Sequence, residues 1–201
     1  MGKAKGAPRR LENRDLARVA TFAALIAIGG WTSVPVGPVP ITLQTFAVML
    51  AGIVLGPCLA PLSVVVLLLL AAIGLPVLHG GAGGLALFMR PTVGYLVGFV
   101  AGSCACGLIA QSGGRVTPVR TFVACLVGGV AVPYLFGIPG TALVLGQGIP
   151  QTALSALVFV PGDLVKAVLA TTVACVLWRA YPAAWSDSLG ASRVARDGDV
   201  G

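Results

Sequence analysis

The chain has 201 residues, of which 57% are hydrophobic and 9% charged, with a formal net charge of +7 and a mean hydropathy of +0.99. An ordinary soluble domain carries about 25% charged residues, so the composition points to an all-α integral membrane protein and leaves no room for a soluble catalytic module. At roughly 20 apolar residues per helical crossing, five to seven spans fit in a single domain.

In chain order, residues 1–14 read as a disordered basic tail. The first span is expected over Asp15 to Ser33 and is read as uncleaved, because Gly29, Gly30 and Trp31 lead into a proline-rich turn and further spans. Its Ala17, Ala20, Ala23, Ala24 and Ala27 make a small-residue surface. That surface suits close packing against a partner helix, although alanine is also simply a good helix former.

The segment Val34 to Pro40, VPVGPVP, cannot continue a helix and is expected as an external loop. Gln44 and Thr45 then bring polar atoms to the start of a second span, residues 41–55, and a turn at Gly56 and Pro57 leads into a third, residues 58–74. Two helices joined so tightly must lie antiparallel and adjacent. Gly74 to Tyr95 is too glycine-rich for a regular helix and lacks the ending of a phosphate-binding loop. It reads as a lid over a site or as a flexible connector.

A fourth span is expected over Thr92 to Gln111, with Gly94, Gly98 and Gly102 along one flank. A fifth runs from Pro118 to Gly137 and should bend at Pro133. Ile138 to Phe159 reads as an extension of that helix, a turn and a short surface helix, or as a re-entrant element. The sixth span begins at Pro161 and ends near Tyr181, so the membrane domain covers residues 15–181 and a polar tail covers 182–201.

Charge supports six spans. Lys3, Lys5, Arg9, Arg10, Arg14 and Arg18, then Arg115 and Arg120, then Arg179, Arg193 and Arg196 all fall on one face in a six-span arrangement, leaving Arg90 outside. The positive-inside rule assigns the basic face to the cytoplasm, with both termini there and the protein in the cell membrane. The basic excess therefore implies a bilayer and not nucleic acid. Cys58, Cys104, Cys106, Cys125 and Cys175 are an odd set within apolar segments and read as small buried hydrophobes. His79 is the only histidine, which argues against a metal site.

The last span carries the chemistry. Between Thr121 and Trp178 the only charged residues are Asp163 and Lys166. Three residues apart on a helix they project from one face, and each costs about 2.5–3.5 kcal/mol at membrane depth. They form either an ion pair that relieves its own burial or a ligand site at an external mouth shared with Gln44 and the glycine-rich segment. A carboxylate beside an ammonium suits a neutral amide-like or urea-like group. No paired carboxylates and no Ser/His/Asp or Cys/His set appear, so the chain does not read as an enzyme.

The strings VPITLQTFAVMLAGIVLG, LLLLAAIGLPVLHGGAGG, RPTVGYLVGF and FVPGDLVKAVLA, in that order, resemble the BioY family over residues 16–181. These are the biotin-binding S components of energy-coupling factor (ECF) transporters. The resemblance implies a six-transmembrane-helix bundle with a glycine-rich external loop. It also implies biotin as ligand, with a transmembrane scaffold subunit and two ABC-type ATPases as partners that use ATP, and no cofactor in this chain.

The Asp and Lys that contact the ureido ring in the family correspond to Asp163 and Lys166. Gln44, Thr45, the Gly80 to Gly84 loop with Gly81, Ala82 and Gly83, and Tyr95 correspond to the pocket region, and Ala20 and Ala24 to the scaffold-docking motif. Ala82 and Leu96 stand where some relatives carry polar side chains, so Arg90 or His79 is left to meet the biotin carboxylate unless it stays hydrated. Two other readings are an ion-coupled secondary transporter with Asp163 as its proton site, which the absence of an evident inverted repeat lowers, and a membrane scaffold protein. Homo-oligomerisation is left open.

Overall fold

The computed structural model describes residues 12–35, 38–113 and 116–180. Both expected tails therefore lie largely outside the described residues. The described residues are mainly helical, with a two-residue antiparallel ladder, β1 (Ser33–Val34) with β2 (Ile41–Thr42), that closes the proline-rich loop as a hairpin, and an isolated bridge between Leu78 and Ala82. The helices are α1 (Asn13–Trp31), α2 (Gln44–Ala72), α3 (Val93–Gln111), α4 (Pro118–Ala124), α5 (Val132–Leu145), α6 (Ile149–Ala156) and α7 (Val160–Ala180). A π-helical stretch, Cys125–Ala131, joins α4 to α5 without a break.

Among the described residues, four helical stretches are long and apolar enough to cross a membrane: Gln44–Ala72, Val93–Gln111, Pro118–Leu145 and Ile149–Ala180. Helix α1 has the length, but Arg14, Asp15 and Arg18 crowd its first turns. It also starts earlier than expected, two residues before Asp15, because Asp15 turns back to accept the Glu12 N–H at 3.4 Å and supports the helix start.

Helix α2 is not one rod. Gly56 has φ 78° and ψ −176°, a conformation open to glycine and followed by Pro57, which disfavours helical geometry in the residue before it. A continuous helix of 29 residues would hold its ends about 44 Å apart at 1.5 Å per residue. Instead Ser33 pairs with Thr42 before α2 and its Oγ lies 2.9 Å from His79 Nδ1 beyond α2. Trp31 Nε1 likewise donates to the Pro76 carbonyl at 3.0 Å. Both ends of α2 thus return to one end of the molecule, with the reversal at Gly56, where the Gln111 amide caps the Ile53 carbonyl at 3.0 Å.

The glycines of α3 are contact surfaces. A Cβ at Gly94 would fall on the Phe136 carbonyl oxygen, one at Gly98 on Pro133, and one at Gly102 on the Gly128 carbonyl oxygen. Helix α3 therefore lies backbone to backbone along the π-helical stretch and α5, as small-residue packing allows. The bend expected at Pro133 takes another form. Proline lacks the N–H that would bond a carbonyl four residues back, and the π-helical turn just upstream absorbs the misfit. Helix α5 extends to Leu145, where Gly146 in the left-handed conformation ends it, and α6 is the short surface helix expected there.

The glycine-rich segment is more ordered than a plain connector. It forms two short 3-10 turns, His79–Gly81 and Leu85–Met89, pinned by the buried side chains of Leu78 and Leu87 and by a Gly84 N–H to Ala71 carbonyl bond of 2.7 Å. The cysteines correct the sequence reading in part. Cys106 and Cys125 are buried, Cys104 and Cys175 half-buried, and Cys58 is exposed just past the Gly56 reversal. The α1 surface is also narrower than expected: Ala23 is in the core, while Ala17, Ala20 and Ala24 face outward.

Candidate functional site

The starts of α2 and α5 and the first turns of α3 and α7 converge below the hairpin and the His79 turn. They enclose a cavity of about 220 Å³, somewhat under the usual 300–1,000 Å³ range of small-molecule sites. Its walls are mostly apolar, with Leu87, Leu96, Phe99, Pro133 and Phe159, and its polar groups are few.

Asp163 and Lys166 both point into it. Asp163 sits in the first turn of α7, where the helix dipole favours an anion, and Lys166 follows one turn on. Lys166 Nζ lies 2.9 Å from Asp163 Oδ1 and donates to Thr45 Oγ1 at 3.0 Å. Thr45 in turn donates to Asp163 Oδ1 at 3.5 Å, and the Tyr134 hydroxyl donates to Asp163 Oδ2 at 2.7 Å. Both charged residues are under 10% exposed, so each relies on the other and on its hydrogen-bond partners in place of hydration.

The stoichiometry of this network matters. A carboxylate offers about four acceptor sites and an ammonium three donors. Three acceptor sites on Asp163 and two donors on Lys166 are taken, which leaves one acceptor, on Oδ2, and one donor, on Nζ. A ligand edge that presents one N–H next to one C=O matches that remainder, and no net charge is required of it.

The other expected site residues divide. Gln44, Thr45, Ala82, Arg90 and Tyr95 line the cavity, whereas Gly81 and Gly83 do not. The Gly83 backbone instead packs against the carbonyl oxygens of Gly74 and Leu75, and Gly81 meets only Pro76, so these glycines shape the turn that presents Leu78, His79 and Ala82. Gln44 is buried, and its Nε2 has no partner among the described residues, resting beside Gly30. Arg90 is exposed at the cavity rim. Ala20 and Ala24 lie on α1, away from the cavity lining.

Tyr134 was not anticipated from the sequence, nor were the hairpin prolines Pro35, Pro38 and Pro40 that line the mouth. A tyrosine in an apolar span needs a partner for its hydroxyl, and that was the available signal. Its direction could not be read, because the π-helical stretch shifts the helical phase just before it.

Fold and site together define a helical membrane protein with a small-molecule cavity built around a buried acid–base pair. The family model described as the BioY family matches residues 4–183. The chain is 42% identical over 181 residues to the biotin transporter BioY of Rhizobium etli, covering 86% of this chain and 97% of that protein. It is 40% identical to the probable biotin transporter BioY of Bacillus subtilis, over 83% and 91% of the two chains. Among solved structures, the crystal structure of the S-component for biotin from an ECF-type ABC transporter superposes with a TM-score of 0.78 at 32% identity, covering 85% of this chain and 95% of that one. The chain belongs to the BioY family.

Proposed function

We propose that this chain is the membrane subunit that captures biotin from outside the cell and delivers it inward in association with an ECF scaffold subunit and two ATPases. The observation that carries the reading is the buried Asp163–Lys166 pair inside the cavity, with one acceptor and one donor unspent. Biotin's ureido ring offers the matching N–H and C=O. Its apolar bicycle and chain suit the walls of Leu96, Phe99 and Phe159, and its carboxylate is assigned to Arg90 at the rim. Gln44, with its amide N–H uncommitted, is assigned to the ligand as well.

Six crossings are proposed, with α2 counted as two because its ends meet at Ser33. Both termini are then cytoplasmic and the cavity faces outward, as the basic clusters favour. Ala20 and Ala24, exposed on α1, are assigned to the scaffold contact. Capture requires no bond to be made or broken in this chain.

Isothermal titration of the detergent-purified protein with biotin tests the reading. Asp163→Asn and Lys166→Met each remove one partner of a buried, hydrogen-bonded charge pair, and each is expected to weaken binding by at least about 100-fold. Wild-type protein that takes up no biotin, or variants that both bind as the wild type does, would reject it.

A further inference from the structure

We infer that Tyr134 is a specificity-determining residue that restricts the site to ligands placing a single N–H on Asp163, and so selects a neutral ureido edge over a cationic, two-donor edge. The inference rests on the biotin reading above. The Tyr134 hydroxyl donates to Asp163 Oδ2 at 2.7 Å, the shortest bond of the network, while Lys166 and Thr45 hold Oδ1. Both carboxylate oxygens are therefore engaged before a ligand arrives. A bare carboxylate is a bidentate acceptor, the form that guanidinium groups recognise best through two parallel N–H bonds. With Lys166 and Thr45 on Oδ1 that fork is blocked, and with Tyr134 on Oδ2 a single lone pair on that oxygen remains for the ligand; without the Tyr134 hydroxyl Oδ2 would offer two, enough to receive both N–H groups of a guanidinium edge.

The tyrosine is itself held in place. Its ring meets Tyr95 edge to face, with centroids 6.0 Å apart at 87°. A Cβ at Gly137 would collide with the Tyr95 ring, so Tyr95 is seated directly on the α5 backbone one turn beyond Tyr134. The π-helical stretch and Pro133 precede it immediately. A hydroxyl fixed from a neighbouring helix in this way limits how Asp163 can turn and share its oxygens.

The test compares biotin with iminobiotin, in which the ureido oxygen is replaced by nitrogen so that the ring edge is a guanidinium, protonated at neutral pH as guanidines are. In the full-length protein, Tyr134→Phe is expected to weaken biotin by about tenfold, the scale of one lost hydrogen bond to a charged group, while iminobiotin binds as well or better. The ratio of the two dissociation constants then falls by about tenfold or more. Should Tyr134→Phe fail to reach the membrane, Tyr134→Met removes the same hydroxyl with a pliant apolar side chain and is read identically. A merely structural tyrosine would change both ligands by the same factor. That result, or no change in either, overturns the inference while leaving biotin capture intact. A wild type that does not bind biotin overturns both.

Discussion

Asp163 and Lys166 were identifiable as a pair from their spacing, because an i,i+3 separation on any helix brings two side chains to one face. The partners that complete the pair's hydrogen-bond network come from elsewhere in the chain: Thr45 is 118 residues from Asp163, and Tyr134 is 29 residues away. Arg90, exposed at the rim, lines the same cavity as the buried pair, Ala82 and Leu96. Arg90→Gln is expected to weaken biotin by about tenfold, the contribution of one charge-assisted bond, yet to leave the affinity for biotin amide, which lacks the carboxylate, nearly unchanged. Titration of both ligands against both proteins measures this. Equal losses for acid and amide would place the carboxylate elsewhere. Gly81 and Gly83 illustrate the limit of reading residues from a motif, since they act through the shape of the turn and not by lining the cavity.

Among the elements, α2 shows most clearly what composition can and cannot say. The Gly56–Pro57 dipeptide marked a reversal because glycine alone tolerates the required φ and proline disfavours continuing the helix. The same dipeptide in a kinked helix would look identical in sequence; the meeting of Thr42, Ser33 and His79 distinguishes the two. If the reversal lies at the cytoplasmic surface, exposed Cys58 sits on the opposite side from the cavity. In a variant whose other four cysteines are replaced, a membrane-impermeant maleimide added to right-side-out vesicles should leave Cys58 unmodified. A cysteine placed at the exposed Phe88 of the glycine-rich segment should react fully. Labelling of Cys58 from outside would remove the six-crossing arrangement. The glycine flank of α3 was legible for a similar reason, since Gly94, Gly98 and Gly102 recur at helical spacing and each meets backbone of the neighbouring helix. The π-helical stretch had no such signature: it contains ordinary apolar residues and two glycines, and arises from fitting Pro133 into a helix already packed on α3.

Across the whole molecule, the two surfaces assigned above to ligand and to partner are separate. The cavity lies at the end closed by the hairpin and the His79 turn, and the outward alanines of α1 lie along the bundle's flank. Ligand capture and partner docking should then be separable. Ala20→Leu with Ala24→Leu is expected to leave biotin affinity within about twofold, since substitutions away from buried features cost within about 0.5 kcal/mol. The same double variant should abolish co-purification with the scaffold subunit and uptake in cells, because bulky side chains hold helix backbones apart. Retained uptake would move the docking surface off α1. The exposed leucines and valines of α5 and α7, including Leu135, Leu143, Val165 and Val176, need no such role, as lipid covers them at no cost.

The sequence by itself determined the class of protein, the positions of most helices, the tight Gly56 turn and the identity of the charged pair. These follow from local rules: hydropathy over a span's length, backbone freedom at glycine and proline, and side-chain direction along a helix. Only the tertiary structure decided that Tyr134 shares Asp163 with Lys166, that the glycines support the rim without lining it, and that Ala23 turns inward while Ala20 and Ala24 remain outside. Each of those depends on where one helix lies against another and in what rotational phase, and a π-helical turn or a close glycine contact changes that phase without altering the apolar pattern from which it would have to be read.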